Sequence, residues 1–492
     1  MIILFTLLPL ITALVLIIIN KRERLSEILS VICTLFTFVL SLIASAWIKD
    51  TKIIVYHMGG WITPLGIDLV LDGFSVLFLI IINMVGFFAV LYSFEYIRKK
   101  YIDINKFLIL LLFLIAALNG VVLSGDIFNL YVFIEMASLA SYSLVAFGAE
   151  REDLEASIRY QVLGTIGSFF ILLGIGIIYS STGTLDLADM SNMIRVTGIN
   201  SAMMFSLPML LFGFALKAAL VPFHAWLPDA HPTAPAPVSA ILSSTVIKAL
   251  SLYGIGRIFF GVFGMTPVLY DILLYGGLIS VFFGAFAALA QTDFKRMLAY
   301  SSISQIGYIM LGIGLGTPLG FIGGLFHLFN HATFKSLYFL CAGATEYSTG
   351  TRQFSELGGL SEKMPYTTWS SLFASFSLAG IPPFNGFWSK FIIVIAAIQA
   401  DKIGIAILAV IASILTLGYF LKIQREVFFS KLPQSLNNIK EVPFLMVLSM
   451  VVLALICLGT GLGFSYIVNN IIQPAADVLV NGVNYGSLIL TK

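Results

Sequence analysis

Cysteine is scarce in this chain: Cys33, Cys341 and Cys457 are the whole complement, and no two lie close in sequence. That spacing excludes a CxxC pair, an iron–sulfur pattern and a disulfide framework. Charge is thin as well. Asp, Glu, Lys and Arg make up 11% of the 492 residues, against about 25% in a soluble globular protein. The formal net charge of +2, with no basic tail, is too small to suggest a nucleic-acid partner. A basic start and a small-residue cleavage site are also missing at the N-terminus. Lys21, Arg22 and Arg24 follow the first apolar run. That is the wrong order for a signal peptide and the order expected of a first span whose N-terminus stays outside.

What fills the chain is hydrocarbon. Hydrophobic residues account for 59% of it and mean hydropathy is +1.00, which marks an integral membrane protein. At about 20 residues per crossing, fourteen apolar runs can be drawn. The first three lie near 2–20, 28–48 and 69–94, the seventh near 203–221, the eleventh near 320–343, the twelfth near 367–400 and the last near 443–468. Polar linkers are short apart from 181–201 and 344–366, and none could hold a soluble domain. The arrangement satisfies the positive-inside rule. Loops on one face carry seventeen Lys and Arg, among them Lys21, Lys100, Lys295 and Arg352; loops on the other carry six, among them Lys49, Arg257 and Lys492. The expected architecture is an all-α polytopic protein of about fourteen transmembrane helices with both termini outside.

The four remaining basic residues, Lys217, Lys248, Lys335 and Lys390, fall inside apolar runs, as does one acid, Glu135. Each costs about 2.5–3.5 kcal/mol at that depth even on lenient scales, so a functional role is the default. The bland alternative is a static polar contact between packed helices, except for Lys390, where it is a lysine that snorkels. By contrast, Asp72 and Glu95 lie near the ends of the third run, where snorkelling or interfacial water can serve them. Burial disfavours a charged amine and a nearby carboxylate restores it, so a lysine whose partner can approach or retreat is a proton switch. Glu135 and Lys217 are each costly alone and cheaper as a pair.

His327, His331 and Lys335 recur at i, i+4 and i+8, which puts them on one helix face over about 12 Å. Histidine titrates nearest neutrality, so the stripe suits a proton relay. Histidines at i and i+4 can also share a metal, but no HExxH pattern and no third ligand is evident, and no metal is assigned. Nor can two histidines on one face take opposite sides of a haem, so no cofactor is expected. His224, Asp229 and His231 occupy the segment FHAWLPDAHPTAPAPVSA on the basic face. They are candidates for gathering protons at an entrance; the alternative is a plain proline-rich turn.

Two runs are interrupted. In LFGFALKAALVPFHAWLPDA, Pro222 follows Lys217 by five residues, and proline kinks or breaks a helix. The twelfth run is too long for one straight crossing at about 1.5 Å per residue. It contains Gly380, Pro382 and Pro383. The breaks echo each other, Pro222-Phe223 with Trp226 and Pro383-Phe384 with Trp388. Paired interruptions in two halves of a membrane protein point to an ion path.

Four stretches together resemble one known family: LSGDIFNLYVFIEM, ALKAALVPFHAWLPDAHPTAPAPVSA, HLFNHATFKSLYFL and GIPPFNGFWSKF. The chain is similar, over about 68 to 430, to the antiporter-like subunits. These are the proton-pumping membrane subunits of respiratory complex I, of Mrp-type sodium/proton antiporters, and of archaeal membrane-bound hydrogenases and their sulfur-reducing relatives. The resemblance implies two inverted five-helix repeats with discontinuous seventh and twelfth spans. The chain would then divide into a three-helix segment at 1–106, repeats at 107–261 and 262–430, and a last span within 431–492. It implies that Glu135 pairs with Lys217, that Lys248 is the central relay lysine, and that His327, His331 and Lys335 line the path to Lys390 at the exit. With residues running only a little past the expected fourteenth span, the long lateral helix of the largest complex I member is not expected, which leaves the D-type Mrp subunit, the hydrogenase-type subunit and the shorter complex I subunits. The loop LPDAHPTAPAPVSA inclines the reading toward the hydrogenase or sulfur-reductase branch.

The expected function is translocation of protons, with sodium as the alternative ion, by a subunit of a multi-subunit complex in the cytoplasmic membrane. Such a subunit has no catalytic centre or energy source of its own. Its expected partners are other membrane subunits, including a second antiporter-like subunit and small hydrophobic ones. The rival reading is a structural scaffold of a respiratory redox complex that performs no transport.

Overall fold

The computed structural model describes residues 1–19, 22–101 and 103–490. Lys21 and Lys492, two of the charges used above for orientation, lie outside the described residues. Apolar sequence becomes helix here because a helix satisfies its own backbone N–H and C=O groups, as lipid requires. In chain order the helices are α1 (Leu4–Ile18), α2 (Glu23–Thr51), α3 (Gly73–Lys100), α4 (Ile104–Leu123), α5 (Ile127–Val145), α6 (Arg151–Thr182), α7 (Leu187–Thr197), α8 (Ser201–Lys217), α9 (Leu227–Thr233) and α10 (Ala236–Phe263). They continue with α11 (Pro267–Leu289), α12 (Phe294–Gly314), α13 (Pro318–Thr349), α14 (Pro365–Ala379), α15 (Asn385–Gln399), α16 (Ile403–Phe428) and α17 (Phe444–Leu462). Three short helices follow: α18 (Phe464–Ile467), α19 (Gln473–Asn481) and α20 (Asn484–Leu490). Of these, α19 packs on α3 and α20 on α7.

Among the described residues nine helices, α2 to α6, α10, α11, α16 and α17, are long and apolar enough to cross a membrane. Helices α1, α8 and α15 are apolar but shorter. Burial sorts the bundle into axis and shell. The most apolar windows of α3 and α10 are 89% and 94% buried, whereas that of α16 is 33% buried. Every residue of α13 from Gly323 to Glu346 is buried. The axis is therefore α3, α10 and α13, and these helices carry much of the polar chemistry.

Three expectations need correction. The fold is not wholly α-helical: β1 (Ile53–His57) pairs antiparallel with β2 (Asp68–Asp72), in the register Ile53 to Asp72 and His57 to Asp68. The strand residues Leu69–Leu71 adjoin the third apolar run and so read as its start; α3 itself begins at Gly73, capped by Asp72 and Ser75. Asp72, at the start of α3, and Arg257 are not left to interfacial water. Both are buried, and Arg257 Nη1 lies 2.6 Å from Asp72 Oδ2. Thirdly, helix α8 ends at Lys217, five residues before the proline expected to break it. Ala219 then adopts φ 52°, a left-handed conformation that costs a residue with a Cβ about 1–2 kcal/mol.

The freed backbone of the first break is satisfied from outside the helix. Trp226 Nε1 donates to Leu216 O at 3.1 Å, and Val221 N donates to Ser280 Oγ at 3.1 Å. The second break, between α14 and α15, is built on glycine. Gly380 has φ 82°, and a Cβ at Gly386 would fall 1.8 Å from Ser377 O. The linker 181–201 folds as α7, and α13 runs on into the linker expected from 344, ending at Thr349.

Candidate functional site

The two breaks expose helix ends to side chains, and lysines occupy both. Lys217 is the last residue of α8. Its Nζ donates to Ser138 Oγ at 2.9 Å and stands 3.6 Å from Glu135 Oε1. Both partners come from α5, three residues apart and so on neighbouring positions of one helix face. Ser168 of α6 donates to the same Glu135 oxygen. The pair is lopsided in burial, with side-chain exposures of 3% for Lys217 and 30% for Glu135. At the second break Lys390 Nζ donates to Leu378 O at 2.8 Å, the carbonyl left open where α14 stops. A Cβ at Gly380 would lie 3.1 Å from Lys390 Cδ, so the glycine leaves room for the lysine stem.

Lys248 sits on α10, whose turns widen to the i→i+5 pattern at Leu242–Val246 and again at Ala249–Tyr253. Such wide turns are uncommon and cluster at functional sites. Its Nζ donates to Ser243 O and Ser244 O at 2.9 and 2.6 Å. Ser243 Oγ in turn meets Ser302 Oγ of α12 at 2.8 Å. Lys335 Nζ donates to Leu298 O at 2.8 Å and to Ser301 Oγ, both on α12. Among the described residues, no carboxylate ion-pairs with Lys248, Lys335 or Lys390; all their hydrogen-bond partners are carbonyls and hydroxyls.

The α13 stripe is fully buried at His327, His331 and Lys335. His327 Nδ1 meets Ser389 Oγ at 3.0 Å, one residue before Lys390, and its Nε2 meets Gln305 Oε1 at 3.1 Å. The stripe is thereby tied to α15 and α12. Neither ring nitrogen of His331 has a partner among the described residues. Buried polar atoms are nearly always paired. A buried imidazole with both nitrogens open, one helical turn from Lys335, is therefore a place where water or a moving proton fits.

The three entrance candidates separate. The segment holding two of them is the short helix α9, not a loop. Asp229 ion-pairs with Arg159 at 2.8 Å and Arg296 at 3.4 Å and lines a polar cavity of about 540 Å³. His231 is fully buried, with its ring 4.7 Å from that of Phe339. His224 is half-buried beside Phe283, with ring centroids 4.4 Å apart, and is absent from that cavity's lining.

Several participants are not evident from the sequence. Ser138, Ser168, Gln305 and Ser389 are ordinary polar residues until the fold brings them against Glu135, Lys217 and His327. Lys295 counts as a loop charge in sequence, yet its side chain is 1% exposed and lies 2.9 Å from Glu346. One signal was available: Glu346 follows Lys335 by eleven residues, close to three helical turns, on the same long helix.

Residues 124–416 match the family described as NADH:quinone oxidoreductase/Mrp antiporter, TM. Residues 61–108 match the N-terminus of chain 5 of NADH-ubiquinone oxidoreductase (complex I). The chain is 35% identical over 432 residues to the D-type subunit of the Na(+)/H(+) antiporter of Alkalihalophilus pseudofirmus, covering 86% of each. It is 34% identical over 437 residues to the N-type subunit of the NADH-quinone oxidoreductase of Desulforudis audaxviator, covering 85% of this chain and 87% of the other. Its fold superposes on a chain of the Mrp complex from a Dietzia species with a TM-score of 0.91, at 27% identity and 99% coverage of both. It also superposes on a chain of the membrane-bound sulfane sulfur reductase, an archaeal respiratory membrane complex, with a TM-score of 0.89, at 33% identity and 98% coverage of both. A buried series of lysines and histidines on broken and widened helices, carried by a chain this similar along most of its length, places the protein in the NADH:quinone oxidoreductase/Mrp antiporter family of integral membrane proteins.

Proposed function

We propose that this chain is a proton-translocating, antiporter-like subunit of a multi-subunit complex in the cytoplasmic membrane, with sodium as the alternative ion. The observation that carries the reading is the succession of ionisable groups from the partly exposed Glu135 through the buried Lys217, Lys248, His331 and Lys335 to His327 and Lys390. A proton enters from the basic, inner face and reaches Lys248. It moves along the His331–Lys335 stripe and leaves past Lys390. The Glu135 carboxylate gates loading by approaching or leaving Lys217, because burial alone disfavours the charged amine. Moving one proton against 100 mV costs about 2.3 kcal/mol, so partner subunits or a counter-ion gradient supply the drive.

The membrane topology proposed with it has fourteen spans. Helices α1 to α6 supply six, α8 with α9 the broken seventh, α10 to α13 the next four, α14 with α15 the broken twelfth, and α16 and α17 the last two. Residues 107–261 and 262–430 form the two inverted repeats, between a three-helix segment at 1–106 and the C-terminal segment 431–492. Both termini lie on the outer side. The partners are other membrane subunits, including a second antiporter-like subunit and small hydrophobic ones. Support for a covering partner comes from Glu135. Its side chain is 30% exposed, with Val132 and Leu139 exposed beside it, and a carboxylate at membrane depth requires protein or water over it.

The test is Lys217→Ala in the assembled complex, reconstituted in vesicles with a pH-sensitive dye inside. Transport should stop while assembly survives. Undiminished pumping would remove the gate, and undiminished pumping in Glu135→Gln as well would favour the inert scaffold.

A further inference from the structure

Lys295 is a fifth deeply buried lysine, at the first turn of α12. Its Nζ donates to Ala234 O at 3.1 Å and stands 2.9 Å from Glu346 Oε2 near the end of α13. Glu346 is the hub of a cluster. Lys100 lies 2.6 Å from it and Arg352 3.8 Å, and the Tyr96 hydroxyl donates to it at 3.2 Å. Arg352 connects the cluster outward. It stands 3.3 Å from Asp293 and lines the cavity that also holds Asp229 and Arg296.

Inward, the cluster grips the segment that carries His231. Arg352 donates to Pro232 O and Lys295 to Ala234 O. His231 is fully buried, yet neither of its ring nitrogens has a hydrogen-bond partner among the described residues. Its ring lies 4.7 Å from that of Phe339, and Lys335 Nζ lies 5.8 Å from the same ring. Phe339 is thus shared between His231 and Lys335. A static clamp needs hydrogen bonds, and the His231 ring makes none among the described residues. An imidazole with two open nitrogens is suited to taking a proton at one and releasing a proton from the other.

Building on the proposed translocation, we infer that Lys295 and His231 form a loading port between the polar cavity and Lys335, so that most protons join the stripe there and the route through Lys248 carries the rest. The ammonium of Lys295 gives a proton to one ring nitrogen of His231 through intervening water and becomes a neutral amine. His231 releases the proton on its other nitrogen to the neutral amine of Lys335. Lys295 does not line the cavity itself; its neighbours Asp293 and Arg296 on α12 do, and it regains a proton from water on that side. The balance is one proton moved from the cavity to Lys335, with Lys295 and His231 restored. Glu346, held by Lys100 and Arg352, is a positioning residue that keeps the Lys295 head beside the His231 segment.

The deciding variants are Lys295→Arg and His231→Gln, assayed in the assembled, reconstituted complex for proton transport, with Lys335→Ala as reference. Arginine keeps the charge and the reach to Glu346 but does not release its proton. Transport in Lys295→Arg should fall about tenfold or more with assembly intact, as it should in His231→Gln. Wild-type transport in Lys295→Arg would overturn the port. Should Lys295→Arg fail to assemble, His231→Gln decides alone: it removes no hydrogen bond among the described residues, and normal transport there would overturn the port. Loss in Lys335→Ala with normal rates in both others defeats the port only; normal transport in Lys335→Ala defeats the translocation reading itself.

Discussion

Two lysine–glutamate pairs, Lys217 with Glu135 and Lys295 with Glu346, are built from the same groups and held in opposite ways. In the first, the nearer carboxylate oxygen is 3.6 Å from the ammonium, the carboxylate is 30% exposed, and the lysine terminates a broken helix. In the second, the separation is 2.9 Å, the exposures are 1% and 9%, and one carboxylate serves Lys295, Lys100 and Arg352 together. A single loose contact beside a helix end can open at little cost. A carboxylate shared among three cations cannot leave without stranding them. The difference teaches that pair chemistry alone does not make a gate; the surrounding backbone decides whether the partners can part.

The largest effects should separate the pairs by kind of failure. Lys217→Ala should abolish proton transport by the reconstituted complex while native gels show normal assembly. Glu346→Gln should instead cost stability, about 3–5 kcal/mol, because it leaves the buried Lys295 uncompensated and loosens Lys100 and Arg352. Thermal unfolding of the purified complex would register this. Glu135→Gln, made in parallel, should change stability by about 1 kcal/mol. Equal melting temperatures for the two glutamine variants would erase the contrast.

A smaller effect probes the two breaks. The first tolerates Ala219 at φ 52°, but the second places Gly380 at φ 82° against the Lys390 stem. Gly380→Ala should therefore cost about 1–2 kcal/mol from backbone strain and slow transport by displacing Lys390. An unchanged melting temperature and rate would mean the second break is as permissive as the first. Smallest of all, Ser138→Ala removes one hydrogen bond from Lys217, worth about 1 kcal/mol. It should shift the transport rate without touching assembly; no shift would mean Glu135 alone sets the state of Lys217.

Much of the helical framework is legible from composition, because a run of Leu, Ile and Phe in lipid has few structural choices. The hairpin at 53–72 was hidden because β2 merges into the apolar run of α3. The wide turns of α10 were hidden because nothing in VSAILSSTVIKALSLYG distinguishes an i→i+5 ladder from an ordinary one. At the site, the positions of Lys217, Lys248, Lys335 and Lys390 inside apolar runs were plain, as was the pairing of Lys217 with Glu135, but most of their hydrogen-bond partners were not. Ser138, Ser301 and Leu378 are 79, 34 and 12 residues away from the lysines they serve. Lys295 was misplaced for a related reason: its sequence neighbours Asp293 and Arg296 read as a loop, and only the packing of α12 against α9 and α13 encloses it.

The sequence by itself determined that this is a membrane-embedded helical protein with ionisable groups submerged in apolar runs, because hydrophobicity and the cost of charge are local properties. Which of those groups stand together, which are held fast and which sit beside a break was decided only when distant segments packed, because a buried charge is stabilised by whatever oxygen or nitrogen the fold brings within about 3 Å.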